Sequence, residues 1–168
     1  MNDLKMLVAY ASVHGSTAEV ARAIALTLRR TGIETDVLHV DEVGEVTGYD
    51  AVVLGSAVYG GRWRPEALRF IDRFNAELRQ RDVWMFQSGP LGRSAQAILH
   101  GLPYNVSLFA ESAGARGFAT FGGKLDGRMG DPVARFLERA GYAGDFRDFS
   151  RIRMWAEDVA RSTAMRVV

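Results

Sequence analysis

The segment SVHGST, which begins at Ser12, combines hydroxyl side chains with a glycine and stands between an apolar run and a helical pattern. Backbone N–H groups at the start of a helix bind anions, hydroxyls add further donors, and a glycine allows a close backbone approach. Ser16 and Glu19 also have the spacing of a capping box, which needs no ligand. That alternative leaves the other hydroxyls and the glycine unexplained, so we predict a phosphate site. Its predicted residues are Ser12, His14, Gly15, Ser16 and Thr17.

Two later loops, also rich in small residues, have the composition to flank a flat ring. The first contains Tyr59 and Trp63, on whose faces an isoalloxazine ring could stack. Tyr59 is the better candidate, because Trp63 could equally close the edge of the core. The second is SGPLG, which on its own would be an ordinary turn, but its backbone could also bond to the polar edge of a flavin. The first of these loops runs over residues 56–63 and the second over residues 88–92.

Five short apolar runs alternate with helical patterns along the chain. Such alternation predicts an α/β fold with a parallel sheet and helices on both of its faces. Ligands bind to such sheets outside the carboxyl ends of the strands, where the strand order reverses, and the three loops follow the first, third and fourth runs. We expect one domain over residues 1–168. The predicted strands are Leu4–Ala11, Thr35–Val40, Asp50–Gly55, Val83–Gln87 and Gly117–Phe121.

An insert at residues 125–149 interrupts the alternation before the last helix and is longer than a usual connection. Within it, Asp131 and Pro132 are expected to start a short helix with an apolar stripe that includes Phe136. We expect the stripe to pack against the domain. Peripheral contact with an anionic membrane or a partner is the alternative, because arginines flank the stripe.

Composition excludes several classes of function. The chain has no cysteine, so a thiolate nucleophile and a cysteine metal site are excluded, and its three histidines lack metal-ligand spacing. The formal net charge of +1 gives no field that would attract nucleic acid. A Walker A loop is absent because there is no GK[ST]. No apolar run could span a bilayer, so we expect a cytoplasmic protein, with peripheral contact at the membrane left open.

The loop SVHGST resembles the phosphate loop of flavodoxins. More narrowly, LGSAVYGGRW, SGPLG, FGGKLD and GDFRDFSRIRMWAEDVA resemble the flavodoxin-domain family that contains menaquinone-dependent protoporphyrinogen oxidases. The resemblance covers almost the entire chain. It implies flavin mononucleotide (FMN) as the cofactor and a flavodoxin-like, doubly wound sheet of five parallel strands in the order 2-1-3-4-5. It also implies that Ser12, His14, Gly15, Ser16 and Thr17 hold the FMN phosphate, and that residues 125–149 correspond to an extra loop of the oxidases. The residues that it implies flank the ring are Ala57, Val58, Tyr59, Gly60 and Gly61 in the first of the two later loops and Ser88, Gly89, Pro90, Leu91 and Gly92 in the second.

The leading hypothesis is an FMN-dependent oxidoreductase that passes electrons from an organic substrate, protoporphyrinogen being one candidate, to a quinone. No proton-transfer residue is predicted. The second hypothesis is a flavodoxin-type electron carrier. Two departures weigh against it, because SGPLG lacks an aromatic residue and the chain is not strongly acidic. The third is a flavin-free binding or regulatory module on the same fold. If Arg62, Arg64 or Arg93 points toward the ring, it would raise the flavin potential.

Overall fold

The computed structural model describes residues 3–89, 104–125, 132–140 and 144–166. The elements in chain order are β1 (Lys5–Ala11), α1 (Ser16–Arg30), β2 (Glu34–His39), the 3-10 turn Val40–Glu42, β3 (Ala51–Tyr59), β4 (Arg62–Trp63), α2 (Pro65–Arg73), α3 (Asn75–Leu78), β5 (Asp82–Gly89), α4 (Tyr104–Ser112), β6 (Ala115–Gly122), β7 (Lys124–Leu125), α5 (Pro132–Arg139), β8 (Gly144–Asp145) and α6 (Phe149–Ala164).

Five strands form one parallel sheet in the order β2-β1-β3-β5-β6. The five predicted strands correspond to β1, β2, β3, β5 and β6, so the predicted order 2-1-3-4-5 and the doubly wound α/β fold are confirmed. The short strand β4, which was not predicted, pairs antiparallel with β3. A separate two-stranded ribbon joins β7 to β8.

Alternate residues of the central strands enter two different cores, because successive side chains of a strand point to opposite faces. Leu7 of β1 and Leu54 of β3 are fully buried on one face, where α2 and α4 contribute Ile71 and Val106. On the other face Val8, with its neighbours on β3, packs against α1 and α6 through residues such as Ile24 and Ile152. Burial on both faces explains why these strands read as continuous apolar runs.

Close packing fixes the sheet where β3 and β5 pass beneath the predicted site. Gly55 lies opposite Phe86 in register, and a Cβ at Gly55 would come within 2.0 Å of the Phe86 ring. That ring in turn stands edge-on to Trp155 of α6, with centroids 6.2 Å apart. Any side chain larger than hydrogen at Gly55 would therefore displace an aromatic cluster that joins the sheet to α6.

The predicted short helix of the insert is present as α5. Its expected first residue Asp131 and terminator Gly141 lie outside the described residues. Phe136 is 69% exposed, so this member of the stripe does not pack against the domain as expected. In the part of the chain that the structure describes, no helix is long and apolar enough to cross a membrane.

Candidate functional site

The three predicted loops leave adjacent strands at one edge of the sheet. Ala11, the last residue of β1, lies opposite Ser56 of β3, and Ala57 lies opposite Ser88 of β5. From β1 the chain continues to β2 on one side, and from β3 it continues to β5 on the other. The strand order therefore reverses between β1 and β3, which is where open α/β sheets bind their ligands.

The start of α1 leaves its backbone donors available to a ligand. Its N-cap is Gly15, which has φ +86° and no side chain with which to cap the helix. The first intrahelical bond runs from the N–H of Glu19 to the carbonyl of Gly15, at 3.0 Å. The N–H groups of Ser16, Thr17 and Ala18 precede that bond, so they have no acceptor within the helix. Together with the helix dipole they favour an anion at this point.

Two serine hydroxyls of this loop accept hydrogen bonds from backbone N–H groups, and their own protons remain to be donated. Ser12 Oγ accepts the N–H of Gly15 at 3.0 Å, and Ser16 Oγ accepts the N–H of Lys124 at 3.2 Å. A hydroxyl has a single proton to donate, and in both serines an N–H occupies the acceptor side, which leaves the proton for a ligand. This donor set fits a phosphate group. Thr17, which follows Ser16, is buried, with 2% exposure.

The capping-box alternative for Ser16 and Glu19 is wrong. Ser16 is the first residue of α1 rather than its cap, and its hydroxyl bonds to β7. The Glu19 carboxylate contacts the guanidinium of Arg147 instead of turning back to the start of the helix. The left-handed conformation of Gly15 decides this outcome, because it places the glycine at the cap position.

The exposed rings of His14 and Tyr59 face each other across the cleft between the phosphate loop and the end of β3. Their centroids are 5.8 Å apart with planes inclined by 42°. Tyr59 is 38% exposed, which leaves part of its ring available to a planar ligand. His14 therefore lies on the Tyr59 side of the loop, between the predicted phosphate and ring residues.

Gly60 and Gly61 form the tip of a hairpin that joins β3 to β4. Both have positive φ, +56° and +73°, as a two-residue turn of the I′ class requires. Tyr59 pairs with Arg62 across this turn, and Val58 pairs with Trp63. The hairpin thus holds Tyr59 at its exposed end and directs Val58 and Trp63 into the core.

Trp63 belongs to the core, so the alternative in which the ring stacks on it is wrong. The residue is 2% exposed, and its Nε1 donates to Oε1 of Gln87 at 3.0 Å. Gln87 Nε2 then donates to Oγ1 of Thr120 at 3.1 Å. This buried chain of polar groups links β4, β5 and β6 beneath the carboxyl edge of the sheet.

The second ring loop begins inside the described structure and continues outside it. Ser88 and Gly89 are buried as the last residues of β5. Pro90, Leu91 and Gly92, together with Arg93, lie outside the described residues, so their predicted roles stay predictions.

Hydrogen bonds of Ser56 fix the hairpin loop against the start of α2. Its hydroxyl donates to the Ala57 carbonyl at 2.8 Å and accepts the N–H of Arg64 at 3.0 Å. The Arg64 guanidinium is engaged by Glu66 at 3.1 Å. The pKa of Glu66 lies below its usual value, chiefly because its carboxylate accepts a hydrogen bond from its own backbone N–H and also because it pairs with Arg64. Arg64 therefore pairs with α2, and Arg62 is exposed on β4.

The β7–β8 ribbon and Arg147, which lies just after it, contact the phosphate loop and the first turn of α1, and these contacts were not predicted from the sequence. The Arg147 side chain is only 7% exposed and pairs with both Glu19 and Asp145, reaching the latter at 2.6 Å. The N–H of Lys124 approaches from the same ribbon. Arg147 and Glu19 are 128 residues apart in the chain, and Lys124 and Ser16 are 108 residues apart. No local sequence pattern predicts these contacts.

A doubly wound parallel sheet with this strand order and its switch point between β1 and β3 defines the flavodoxin-like class of α/β proteins. The sequence model of the Flavodoxin domain family matches residues 7–139, and the chain belongs to this family. FMN is the cofactor of the family, which agrees with the cofactor predicted from the sequence.

Solved structures of flavodoxins share this fold. A flavodoxin from the domain Archaea has a TM-score of 0.68 at 15% identity, over 96% of this chain and 99% of that one. Oxidised Flavodoxin 2 from Bacillus cereus has a TM-score of 0.61 at 21% identity, over 96% and 99%. Rubredoxin oxygen:oxidoreductase from the anaerobe Desulfovibrio gigas has a TM-score of 0.68 at 14% identity, and this chain spans 37% of that longer protein. At such identities the likeness shows the fold alone.

Proposed function

We propose that the protein is an FMN-dependent oxidoreductase that takes electrons from a small organic substrate and passes them to a quinone. The observation that carries the cofactor site is the set of donors at the start of α1, where Gly15 leaves N–H groups uncapped and two serine hydroxyls can donate. Bound FMN supplies the redox chemistry, and the protein binds, orients and surrounds it.

In this proposal the phosphate lies against the N–H groups of Ser16–Ala18 and the hydroxyls of Ser12 and Ser16. Charge-assisted hydrogen bonds of this kind are stronger than neutral ones, so the phosphate would anchor the cofactor. The ring would lie beside Tyr59, on the side of the sheet edge that continues to Ser88 and Gly89. Ala57, Gly60 and Gly61 would continue this wall, and His14 would lie at the junction between phosphate and ring. Pro90, Leu91 and Gly92 are predicted ring contacts outside the described residues, and the buried Val58 would support the wall from the core.

Burial of Trp63 supports a substrate-facing flavin. It leaves Tyr59 as the aromatic side chain that the hairpin offers to the ring, and the segment SGPLG contains none. One face of the ring would then lack aromatic cover, so a flat organic substrate or a quinone could approach it. The resemblance to the family of menaquinone-dependent oxidases makes protoporphyrinogen the first substrate to test.

An electron carrier of the flavodoxin type is the second candidate, and an exposed apolar rim favours it. Val13 is 52% exposed beside the phosphate loop, and Tyr59 is 38% exposed on the hairpin. Apolar side chains next to the ring would form a contact through which a redox partner could dock. In this case the protein would exchange electrons with another protein and would have no substrate of its own.

Peripheral contact with a membrane is a further part of the proposal, since a lipid-soluble quinone resides there. The exposed Phe136 on α5 has the chemistry to enter the interface, and Arg139 on the same helix is exposed as well. A single short helix would give only weak, reversible binding.

Reductive and oxidative half-reactions distinguish the two redox candidates. Protein loaded with FMN is mixed anaerobically with protoporphyrinogen, and photoreduced protein is mixed with a soluble menaquinone analogue, while flavin absorbance is followed. An oxidoreductase predicts saturable reduction of the flavin by protoporphyrinogen and rapid reoxidation of the flavin by the menaquinone analogue. Widely separated one-electron potentials without reaction of either compound would contradict the enzyme and favour the carrier. Failure of the folded protein to bind FMN would leave the flavin-free module.

A further inference from the structure

We propose that Arg147 is a positioning residue of the phosphate site, which neutralises Glu19 in the first turn of α1 and so sets the affinity for the phosphate group of the cofactor. This inference rests on the proposed FMN site and assigns a function to the β7–β8 ribbon, which lies far from the phosphate loop in sequence.

The ribbon lies directly against the phosphate loop. Lys124 of β7 donates its N–H to Ser16 Oγ at 3.2 Å, and Lys124 pairs with Asp145 of β8. Phe146 donates its N–H to the carbonyl of Gly123 at 3.0 Å. At Gly122 a Cβ would come within 2.0 Å of the Phe146 carbonyl oxygen, so only glycine permits this approach. The segment that carries Arg147 is therefore held beside Ser16.

The Arg147 guanidinium is fixed between two carboxylates and an aromatic ring. It contacts Glu19 and lies 2.6 Å from Asp145, and its charged carbon stands 5.2 Å from the centroid of the Phe149 ring. Only 7% of its side chain is exposed. Burial lowers the pKa of Arg147, but the pKa of an arginine lies so far above neutral pH that the guanidinium keeps its charge.

The charge of Arg147 resolves a conflict at the start of α1. An acidic residue in a first turn interacts favourably with the helix dipole, and Glu19 occupies that place. The same carboxylate would repel a phosphate bound to the N–H groups of that turn. Pairing with Arg147, whose charge Glu19 shares with Asp145, reduces this repulsion, so Glu19 can remain in the first turn of a helix that binds an anion.

The inference predicts an effect that depends on the phosphate group and on Glu19. Arg147→Gln should weaken FMN binding about three- to tenfold in low salt, since the partly exposed carboxylate of Glu19 loses its positive partner. Riboflavin, which lacks the phosphate, should bind unchanged. The double variant Arg147→Gln/Glu19→Gln should regain the FMN affinity. The loss in the single variant should shrink in high salt, because salt screens the interaction.

Fluorescence titrations with FMN and with riboflavin test these expectations, and Arg151→Gln, at an exposed arginine of α6, serves as the matched control. Equal losses for both ligands, or no recovery in the double variant, would show a structural role and overturn the inference alone. If the parent protein bound no FMN, the proposed function itself would fail. Glu19→Gln alone alters an exposed side chain and should tighten FMN binding; weaker or unchanged binding would also contradict the inference.

Discussion

Trp63 and Gln87 are joined by a hydrogen bond of 3.0 Å from the indole Nε1 to the amide Oε1, beneath the edge of the sheet where the cofactor site lies. The bond connects the β3–β4 hairpin to β5 and continues to Thr120 of β6. An aromatic residue that the sequence offered as a possible stacking surface therefore serves the core. Tyr59, four residues earlier, keeps the exposed position.

Substitution of Trp63 should affect stability, whereas substitution of Tyr59 should affect FMN binding. Trp63→Phe leaves the buried Gln87 oxygen without its donor and should lower the free energy of unfolding by about 1–3 kcal/mol, with little change in FMN affinity. Tyr59→Ala should weaken FMN binding and leave the free energy of unfolding nearly unchanged. Urea denaturation and FMN titration of both variants check the pair. A large loss of FMN affinity in folded Trp63→Phe would contradict the assignment of Trp63 to the core.

Gly15 and Gly32 provide a matched pair at the two ends of α1. Both have positive φ, +86° and +89°, and a Cβ at either position would meet nothing within 4 Å. An alanine at each should therefore cost a similar amount of stability, about 1–2 kcal/mol, from backbone strain alone. Only Gly15→Ala should also weaken FMN binding, since only Gly15 shapes the phosphate loop. If both variants lost FMN affinity equally, the loss would reflect general destabilisation rather than the loop.

Tyr49 gives the fold a dependence on alkaline pH. Burial, and then its hydrogen bond of 2.8 Å to Asp36, raises the pKa of Tyr49 to about 12. A folded-state pKa above the unfolded value of about 10 stabilises the fold fully below pH 10. That contribution is lost as pH rises from about 10 through about 12. The unfolding free energy of Tyr49→Phe should therefore fall less steeply over this range, as urea denaturation at several pH values would show. Parallel pH profiles of the unfolding free energy for the parent protein and Tyr49→Phe would contradict this prediction.

The exposed Phe136 predicts the outcome of a membrane-binding assay. Phe136→Ser should reduce co-sedimentation with vesicles that contain anionic lipid, while changing the free energy of unfolding by less than about 0.5 kcal/mol, as for most surface changes. Leu108→Ser is the matched control, because Leu108 is 65% exposed on α4. Co-sedimentation that is equal in the parent protein and both variants would exclude α5 as a membrane contact.

The sheet could be predicted from the sequence because its signals are local. Strands such as β1 are buried on both faces, so their residues form continuous apolar runs, and the alternation with helices then limits the topology. The phosphate loop could be found for the same reason, since its hydroxyls and its glycine are adjacent in the chain. The Gly60-Gly61 turn carried a hairpin signal of the two-residue class, which would have placed Trp63 opposite Val58.

Long-range contacts could not be predicted in this way. Ser16 and Glu19 have the spacing of a capping box, but Ser16 Oγ accepts the N–H of Lys124 on the distant ribbon and Glu19 pairs with Arg147 just after that ribbon. Strands of two residues, such as β7 and β8, are too short to show a periodicity. The contribution of the ribbon to the phosphate site therefore depends on tertiary packing alone.

The most direct test of the account is a comparison of FMN and riboflavin binding by fluorescence quenching, in the parent protein and in Ser12→Ala/Ser16→Ala. Thr47→Ala, which removes an exposed hydroxyl at the opposite edge of the sheet, is the control. We expect the parent protein and the control to bind FMN at least about tenfold more tightly than riboflavin, and the double variant to lose most of that difference, because two hydrogen bonds to a charged group are removed. Equal affinities for the two flavins in the parent protein would contradict the assignment of the phosphate site.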